Sequence, residues 1–388
     1  MEQYITNIHI DQLRHLTNVD IPINTDKKSH LILTGKNGSG KTSLLNAIKD
    51  NLKGNLATKR SRQKRAKNKE KNTSDAYLNK PLAGIRLTFS HCEDLKTCFK
   101  NGKFVVAHFK ADFLADWTIP DGVENVNLET SYAIDEHPVH ELLKYMVHLK
   151  TQQSYAKIEN HNQVENLINK WFVQFESALK KLMDDDSVYL KYDYLNYNFL
   201  ICQNGRNPVG FNELSDGYSS AILIMADLLL RMDQKWLVTN NELDKSKEGI
   251  VLIDEPEKHL HLEMQRTILP FLVEMFPRLQ FIVATHSPFV VNSLENAVGF
   301  DLENKTLVKE GLSNISYSGV IEGYFRVDEL SKLLRDKFER YRTLVQKNHL
   351  VDDDFDEIMD LEQYLNEIPD FLSIDIAAEY HKLRLMFR

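Results

Sequence analysis

The sequence predicts an α/β fold built on a parallel sheet, and three stretches support this prediction. Leu31–Ile48 has the pattern of a buried strand, a glycine-rich loop and an amphipathic helix. Gly249–Pro256 and Leu279–Pro288 are apolar runs that end in polar residues, which is typical of buried parallel strands. Because parallel strands bring their carboxyl ends to one edge of a sheet, we expect these polar ends to share one crevice.

The glycine-rich loop predicts a phosphate site. Residues 35–42, Gly-Lys-Asn-Gly-Ser-Gly-Lys-Thr, fit the pattern G-x-x-x-x-G-K-[ST] at every fixed position. Glycine lets the backbone curl so that several N–H donors converge on an anion, and the N-terminus of the following helix favours negative charge. Lys41 is expected to reach the β- and γ-phosphates of a nucleotide, and Thr42 to bind Mg²⁺. Apolar residues on both sides argue against a glycine turn without a ligand.

The other two strand ends carry side chains suited to phosphate chemistry. Asp254 follows four apolar residues and is expected to hold Mg²⁺, directly or through water. Glu255 comes one residue later and is expected to polarise an attacking water. His286 ends the third apolar run, where an imidazole could contact a γ-phosphate. A single histidine at a strand end is usually structural, but here it is the third polar end of the same predicted sheet.

Composition limits the class of protein. The chain has 388 residues, of which 42% are hydrophobic and 27% charged, so it can form a packed core of one large α/β domain with insertions or of two to three domains. The net charge of −8 argues against a surface that coats nucleic acid. Three cysteines are too few for a disulfide framework. No apolar run reaches about 18 residues, so we expect a cytoplasmic protein without membrane contact.

Two kinds of smaller structure are expected around the parallel sheet. Alternating apolar residues predict a strand at Tyr4–Ile10 and a second strand at Leu13–Ile23 that pairs with it. Ile85, Leu87 and Phe89 also alternate, and Lys96–Phe99 and Lys103–His108 flank Asn101-Gly102, which is typical of a hairpin. These later stretches predict a small antiparallel β-lobe. His137–Met183 changes to a helical period, with Trp171 and Phe175 in an apolar stripe that we assign to the core.

These patterns give provisional domain limits. We expect the main domain at residues 1–320, with a helical insertion at 135–185 and a helical C-terminal extension at 321–388. The extension contains Val351–Asp360, in which six residues are acidic. These acids could bind a nuclease metal, or they could form the solvated start of a helix or an interaction surface.

A basic segment interrupts the main domain. Lys59–Lys71 contains eight Lys or Arg residues and one acid, without an apolar period. It is either a solvated insertion or a contact for the phosphate backbone of DNA or RNA. It lacks the interleaved aromatic residues that would stack on bases.

Four stretches of the sequence, in this order, resemble the ABC-type ATPase head of the SMC, RecF and OLD class. They are residues 35–42, Leu214–Tyr218, Ile250–Glu255 and the run that ends at His286. Leu214–Tyr218, LSDGY, is similar to the signature loop of that class, and Glu255–Gln265, EPEKHLHLEMQ, is similar to the EPE-x-x-LH form of its OLD and RecF-like branch. Together with THSP at Thr285–Pro288, these motifs resemble the antiphage defence ATPases of Septu and retron systems. No glutamine occurs in His108–Asp112, where the resemblance would place the Q-loop.

The resemblance implies ATP and Mg²⁺ as ligands and a site shared between two subunits. The residues it assigns to nucleotide binding are Gly35, Lys36, Asn37, Gly38, Ser39, Gly40, Lys41, Thr42, Ser43, Ser215 and Gly217. It assigns catalysis to Glu255 and His286, and metal binding to Thr42 and Asp254. Ser215 and Gly217 would act on the nucleotide of a second copy, so a homodimer or higher homo-oligomer is expected. The implied role is control of a separate effector, possibly an HNH-type nuclease.

Other functions stay open at this point. A RecF-like DNA-repair ATPase acting on ends or gaps would share the same motifs. A self-contained, OLD-like nuclease would use the acids of Val351–Asp360 instead. An ABC importer subunit fits less well, because the EPE-x-x-LH text and the missing Q-loop glutamine are atypical of importers.

Overall fold

The structure is a computed structural model that describes residues 2–56, 83–91, 94–113, 117–232, 247–308, 332–347, 349, 351–366 and 374–387. It divides into two compact units, Met1–Ile315 and Ser316–Arg388, which we describe separately. The basic segment Lys59–Lys71 lies outside the described residues, so a nucleic-acid contact there stays a prediction. None of the described helices is both long and apolar enough to cross a bilayer.

All the strands among the described residues lie in the first unit. They are β1 Ile5–Leu13, β2 Leu16–Pro22, β3 His30–Thr34, β4 Ile85–Phe89, β5 Phe104–Phe109, β6 Tyr189–Asp193, β7 Asn198–Cys202, β8 Val209–Gly210, β9 Glu248–Asp254, β10 Leu279–Ala284, β11 Ala297–Asp301 and β12 Thr306–Val308. Its helices are α1 Lys41–Leu56, α2 Leu95–Lys100, α3 Leu142–Ile158, α4 Asn162–Met183, α5 Asp216–Met232, α6 Leu262–Met275 and α7 Pro288–Val291. Short 3-10 turns precede α3 and α5, at Pro138–Glu141 and Phe211–Glu213.

A six-stranded sheet forms the centre of this unit, in the order β12-β11-β3-β10-β9-β5. Every neighbouring pair is parallel except β11 and β12. The residues of β3, β5, β10 and β11 are all buried, as expected for parallel strands covered on both faces. This sheet confirms the predicted α/β class and sets the carboxyl ends of β3, β10 and β9 next to one another.

A three-stranded antiparallel sheet, β2-β1-β4, contains the two strands predicted to pair near the N-terminus and, from the predicted lobe, the strand at Ile85–Phe89. It is tied to the central sheet by Gln280 of β10, whose side chain is fully buried. Gln280 Oε1 accepts a hydrogen bond from the Ile5 N–H at 2.8 Å, and its Nε2 donates to the carbonyls of Ile5 and Ser29, each at 2.9 Å. One amide side chain therefore joins β1 to the segment that leads into β3.

The predicted hairpin around Asn101-Gly102 is wrong. Leu95–Lys100 is the helix α2, whose N-terminus is capped by Asp94, and Asn101 is its C-cap. Gly102 has a φ of +69°, so the Asn-Gly pair ends a helix here instead of turning a hairpin. The following residues form β5, which pairs in parallel with β9. An Asn-Gly pair can either turn a hairpin or end a helix. Here the continuous burial of β5, which is typical of a parallel strand, distinguishes the helix end from the hairpin.

Helices α3 and α4 form where the sequence predicts a helical insertion. Within α4, Trp171 stacks on Phe175 with ring centroids 5.3 Å apart. Phe172 stacks on Phe199 of the β6-β7-β8 sheet with centroids 5.6 Å apart. The aromatic stripe therefore belongs to the core, as its helical spacing predicts.

Arg231, near the end of the long apolar helix α5, ties that helix to the central sheet. Its guanidinium donates to the carbonyl of Val106 in β5 at 2.8 Å and to the carbonyl of Glu136. Arg231 Nε also donates to Asp227 Oδ2 of the same helix at 2.7 Å, and both side chains are almost completely buried. Because Asp227 balances its buried charge, Arg231 can hold α5 against β5 through the bond to Val106.

The second unit consists of three helices among its described residues: α8 Lys332–Val345, α9 Asp352–Asn366 and α10 Ile374–Phe387. They share an apolar core of Phe338, Tyr341, Leu344, Ile358, Leu361, Leu365, Tyr380 and Leu383. The predicted helical C-terminal extension is confirmed, while the domain limits stay predictions.

A buried histidine in the central sheet should make stability depend on pH. His30 Nδ1 accepts a hydrogen bond from the Phe281 N–H at 3.1 Å, and burial lowers the pKa of His30 to about 3. Since this pKa lies below the unfolded value of about 6.5, the unfolded chain binds the proton more readily, and stability falls as pH drops below about 6.5.

The variant His30→Asn tests this pH dependence, because asparagine keeps a hydrogen-bond acceptor at position 30 but does not titrate. Between about pH 7.5 and 5, the wild type should lose about 2 kcal/mol of its free energy of unfolding through His30, and the variant should lack this loss, as measured by urea unfolding. An equal loss in both proteins would contradict this assignment.

Candidate functional site

The phosphate loop has the backbone that its glycines predict. Gly35, Gly38 and Gly40 have φ values of +130°, +86° and +102°. A Cβ on Gly35 would lie 2.7 Å from Ser39 Oγ, so a larger residue would collide with the curled loop. The loop connects β3 to α1, which begins at Lys41. Its N–H groups therefore lie at the start of a 16-residue helix, an arrangement suited to binding an anion.

Lys41 is the first residue of α1, and its side chain reaches back into this loop. Its side chain is buried, and Nζ donates to the carbonyls of Gly35 at 2.7 Å and Lys36 at 3.2 Å. Burial lowers the pKa of Lys41, while the carboxylates of Glu255 and Asp254 oppose this shift. The ammonium group is thus held at the mouth of the loop by weak neutral acceptors, which a phosphate could replace.

Asp254 and Thr42 offer oxygen ligands for a divalent cation. Asp254 ends β9 in a buried position, near the Thr42 hydroxyl. Burial and the nearby Glu255 raise the pKa of Asp254, while the Thr42 hydroxyl and Lys41 act to lower it. Its Oδ1 atom is buried and accepts no hydrogen bond from the described residues. A buried carboxylate oxygen without a partner, next to a hydroxyl, fits Mg²⁺ coordination by protein and phosphate oxygens.

Glu255 and His286 face each other across the strand ends. Glu255 Oε1 lies 4.0 Å from His286 Nε2, and about a third of each side chain is exposed. Glu255 has a φ of +51°, and its N–H donates to the Ala284 carbonyl at 2.8 Å. Burial, helped by the positive charge of Lys41, lowers the pKa of His286, so its imidazole is neutral at pH 7. A carboxylate and a neutral imidazole thus lie at the mouth of the phosphate site.

The two predicted signature residues have different surroundings. Ser215 is exposed just before α5, and its carbonyl accepts the Ser219 N–H at 2.9 Å. Gly217 is buried, and a Cβ on it would lie 2.7 Å from the His259 carbonyl oxygen of the same chain. Gly217 is therefore required for packing within its own subunit, whereas Ser215 is accessible to another molecule.

Three acidic residues near the site were given no role from the sequence. The Glu303 carboxylate lies 3.0 Å from Lys36 Nζ. Asp112, in the segment where no Q-loop glutamine occurs, is close enough for its charge to raise the pKa of Asp254. Glu257 accepts hydrogen bonds from the N–H groups of His286 and Ser287. A sequence signal existed for two of them: Glu257 is the second acid of the EPE-x-x-LH motif, and Glu303 closely follows β11, another apolar run that ends in an acid.

Comparisons with known proteins give a matching family and several relatives. Residues 142–292 match the family described as AAA domain, putative AbiEii toxin, Type IV TA system, a range that includes Ser215, Asp254 and His286. Over 387 residues the chain is 24% identical to Septu protein PtuA of Bacillus mycoides (strain KBAB4), covering 94% of this chain and 51% of that protein. Over 439 residues it is 23% identical to the Retron Ec83 probable ATPase of Escherichia coli, covering 88% and 80%.

The chain is thus similar over most of its length to a Septu protein and to a probable retron ATPase. A third relative, the Retron Vc95 probable ATPase of Vibrio cholerae serotype O1 biovar El Tor, is 33% identical over 147 residues, covering 37% of this chain and 27% of that protein. The resemblance stated from the sequence motifs is thereby confirmed. The chain spans about half the length of the PtuA relative, 51%.

Among solved structures, the chain is similar to one described as the SmcHead bound to the C-winged helix domain of ScpA. The TM-score is 0.40 at 15% identity, covering 76% of this chain and 94% of the other. Because this TM-score is too low to support a fold assignment, the assignment rests on the sheet order and the site geometry given above.

Proposed function

We propose that this chain is an ATP-hydrolysing ABC-type ATPase that acts with a second copy of itself in an antiphage defence complex. The observation that carries the proposal is the convergence of four side chains, Lys41, Asp254, Glu255 and His286, at adjacent strand ends. Each has the position and environment that its predicted part in phosphoryl transfer requires. The names of the relatives, a Septu protein and two retron ATPases, support the defence context.

Each group at the site has a specific task in this proposal. The backbone N–H groups of the loop and the Lys41 ammonium bind the β- and γ-phosphates, and Thr42 and Asp254 hold Mg²⁺. The metal supplies positive charge to the phosphate oxygens. Glu255 orients the attacking water and accepts its proton, and the neutral His286 hydrogen-bonds to the γ-phosphate or the water. Catalysis thus depends on positioning and on charge neutralisation.

A homodimer, or a higher homo-oligomer, would complete the site. Ser215 is exposed, and among the residues described here its hydrogen bonding does not reach its own phosphate loop. A hydroxyl at the N-terminus of the 17-residue helix α5 is well placed to contact a phosphate brought by a second copy. This exposure supports the shared site that the family resemblance implies.

The destructive step of defence would belong to a separate effector, possibly an HNH-type nuclease. Two acids of Val351–Asp360 are already paired, Asp354 with Lys347 and Glu357 with Arg340. Across the described ranges, no group of three or more His, Cys, Asp or Glu side chains is arranged to hold a metal ion. Both observations favour an ATPase that controls a nuclease over a self-contained nuclease.

Glu255→Gln tests the assignment of the catalytic base. The variant should bind ATP·Mg²⁺ normally, because the phosphate ligands remain, and should hydrolyse it about 10²–10⁴-fold more slowly. Steady-state hydrolysis and nucleotide binding by calorimetry would measure the two effects. Glu263→Gln, on a side chain that is 79% exposed in the first turn of α6, is the matched control and should behave as wild type. Near-normal turnover in Glu255→Gln would exclude Glu255 as the base.

A mixing experiment tests the shared site. Lys41→Ala should lose ATP binding, and Ser215→Asp should place a carboxylate against the partner's γ-phosphate while keeping a good helix N-cap. Ser215 is preferable to Gly217 here, because a side chain at Gly217 would disturb its own subunit. A mixed dimer contains one site with both lesions and one site with neither. Equal mixing should therefore restore up to about a quarter of wild-type hydrolysis. Hydrolysis by Ser215→Asp alone at the wild-type rate would contradict the shared site.

The absence of intrinsic nuclease activity can be tested directly. The purified chain, with Mg²⁺ or Mn²⁺ and ATP, should leave plasmid, linear DNA and RNA intact, as judged on gels. Cleavage that persists in Glu255→Gln would contradict this expectation. If that cleavage disappeared on changing the exposed Asp352 and Asp353 to Ala, the nuclease would be assigned to α9 of the second unit.

A further inference from the structure

Glu257 joins two parts of the site that are far apart in sequence. It follows Glu255 by two residues, in the turn after β9. Its Oε1 atom accepts hydrogen bonds from the N–H groups of His286 at 2.6 Å and Ser287 at 3.2 Å. Its Oε2 atom is buried and accepts no hydrogen bond from the described part of the chain. A carboxylate is therefore enclosed beside the nucleotide site with its hydrogen bonds directed at the loop after β10.

We propose that Glu257 is a positioning residue for ATP hydrolysis, which fixes the backbone of His286 and so places its imidazole beside Glu255. The inference rests on the hydrolytic function proposed above. Glu257 does not itself touch substrate in this arrangement, and its effect on the reaction passes through His286.

The backbone on either side of His286 is held by hydrogen bonds from three consecutive N–H groups, those of residues 285–287. Thr285 N–H donates to the Leu33 carbonyl of β3 at 3.0 Å, and His286 N–H donates to Glu257 Oε1 at 2.6 Å. Ser287 N–H is shared between Glu257 Oε1 at 3.2 Å and Thr285 Oγ1 at 2.9 Å. Three consecutive amides are thus held, and Glu257 is the partner of the second and one of two partners of the third. Burial raises the pKa of Glu257, and the hydrogen bond from the His286 N–H opposes this shift. The imidazole keeps its side-chain torsions, but its Cα is fixed relative to β3 and β9.

Ser287 extends the same arrangement. Its hydroxyl accepts the N–H groups of Phe289 and Val290 at the start of α7 and donates to Gln265 Oε1 at 2.7 Å. Gln265 Nε2 in turn donates to the Leu260 carbonyl at 3.0 Å. The loop that carries His286 is therefore attached to the turn after β9 through Glu257 and to the first turn of α6 through Gln265.

The turn that carries Glu257 is itself rigid. Lys258 N–H donates to the Glu255 carbonyl at 3.1 Å, and Leu260 N–H donates to the Glu257 carbonyl at 3.0 Å. His259, between them, has a φ of +66°, and its carbonyl lies against Gly217. Because the hydrogen bonds of this turn fix the position of Glu257, its bond to the His286 N–H sets the distance between His286 and Glu255.

Steady-state kinetics of four variants would test this role. Glu257→Ala should lower kcat for ATP about 10–100-fold with KM changed less than about twofold, because binding groups remain while the imidazole is misplaced. Glu257→Gln should recover most of kcat, since its amide oxygen can accept the same two N–H groups. If Glu257 acts through His286, then adding Glu257→Ala to His286→Ala should cost less than about twofold more.

The matched control is Glu176→Ala. Glu176 in α4 also accepts a backbone N–H, that of Leu190 at 2.9 Å, but lies in the helical insertion. Its loss should leave kcat and KM unchanged. Equal fold-losses from Glu257→Ala in the wild-type and His286→Ala backgrounds would overturn the proposal, as would a rise in KM at constant kcat.

Hydrogen exchange of the peptide that contains Thr285–Pro288 gives a readout independent of hydrolysis. Glu257→Ala should speed exchange of the His286 amide most, because the Ser287 amide keeps its bond to Thr285 Oγ1, and Glu257→Gln should keep both protected. Unchanged protection in Glu257→Ala would overturn the positioning contact. A wild-type chain that does not hydrolyse ATP would instead refute the proposed function, so the two failures are distinguishable.

Discussion

The parallel pairing of β3, β10 and β9 is the constraint on which the rest of the site depends. Hydrogen bonding holds neighbouring strands about 4.8 Å apart, so the residues that follow them must lie within reach of one another. The register pairs Leu33 with Ala284, and Ala284 with Asp254. The phosphate loop, the acids and His286 are therefore brought together by the backbone alone. Side chains then refine a geometry that the sheet has already set.

Negative charge exceeds positive charge at this edge of the sheet, which supports the proposed binding of a cation. Lys41 is buried among four carboxylates that raise its pKa, those of Glu255, Asp254, Glu257 and Asp301, while burial lowers it. A nucleotide would add further negative charge next to these acids. One ammonium group cannot neutralise both, and the unpartnered Asp254 Oδ1 is the oxygen that a divalent cation would satisfy. The electrostatics thus lead to Mg²⁺ independently of the sequence motif.

The sequence predicts those parts of the fold and site that depend on neighbours in the chain. The loop and helix of residues 35–48 follow from local rules for glycine and apolar spacing, and so do the acids at the end of β9. The Asn101-Gly102 hairpin failed because the same dipeptide can end a helix or turn a hairpin, and the choice was made by packing of β5 against β9. Local rules carry no information about which strand will lie alongside.

Contacts between distant residues were beyond the sequence for the same reason. Glu257 and His286 are 29 positions apart, and Lys36 and Glu303 are 267 apart. Neither pair forms part of a periodic pattern. Each becomes visible only when the sheet order is known, because it is the adjacency of β9 with β10, and of β3 with β11, that brings the partners together.

The signature loop shows how one motif can serve two different constraints. Gly217 is required because the carbonyl of His259 occupies the space where a side chain would be, so this position is explained within a single chain. Ser215 is exposed, and its side chain has no comparable packing role. Because His259 belongs to the same turn as Glu255 and Glu257, the start of α5 packs against that turn through Gly217. In the proposed dimer, a phosphate contact made by Ser215 would lie two residues from this packing contact.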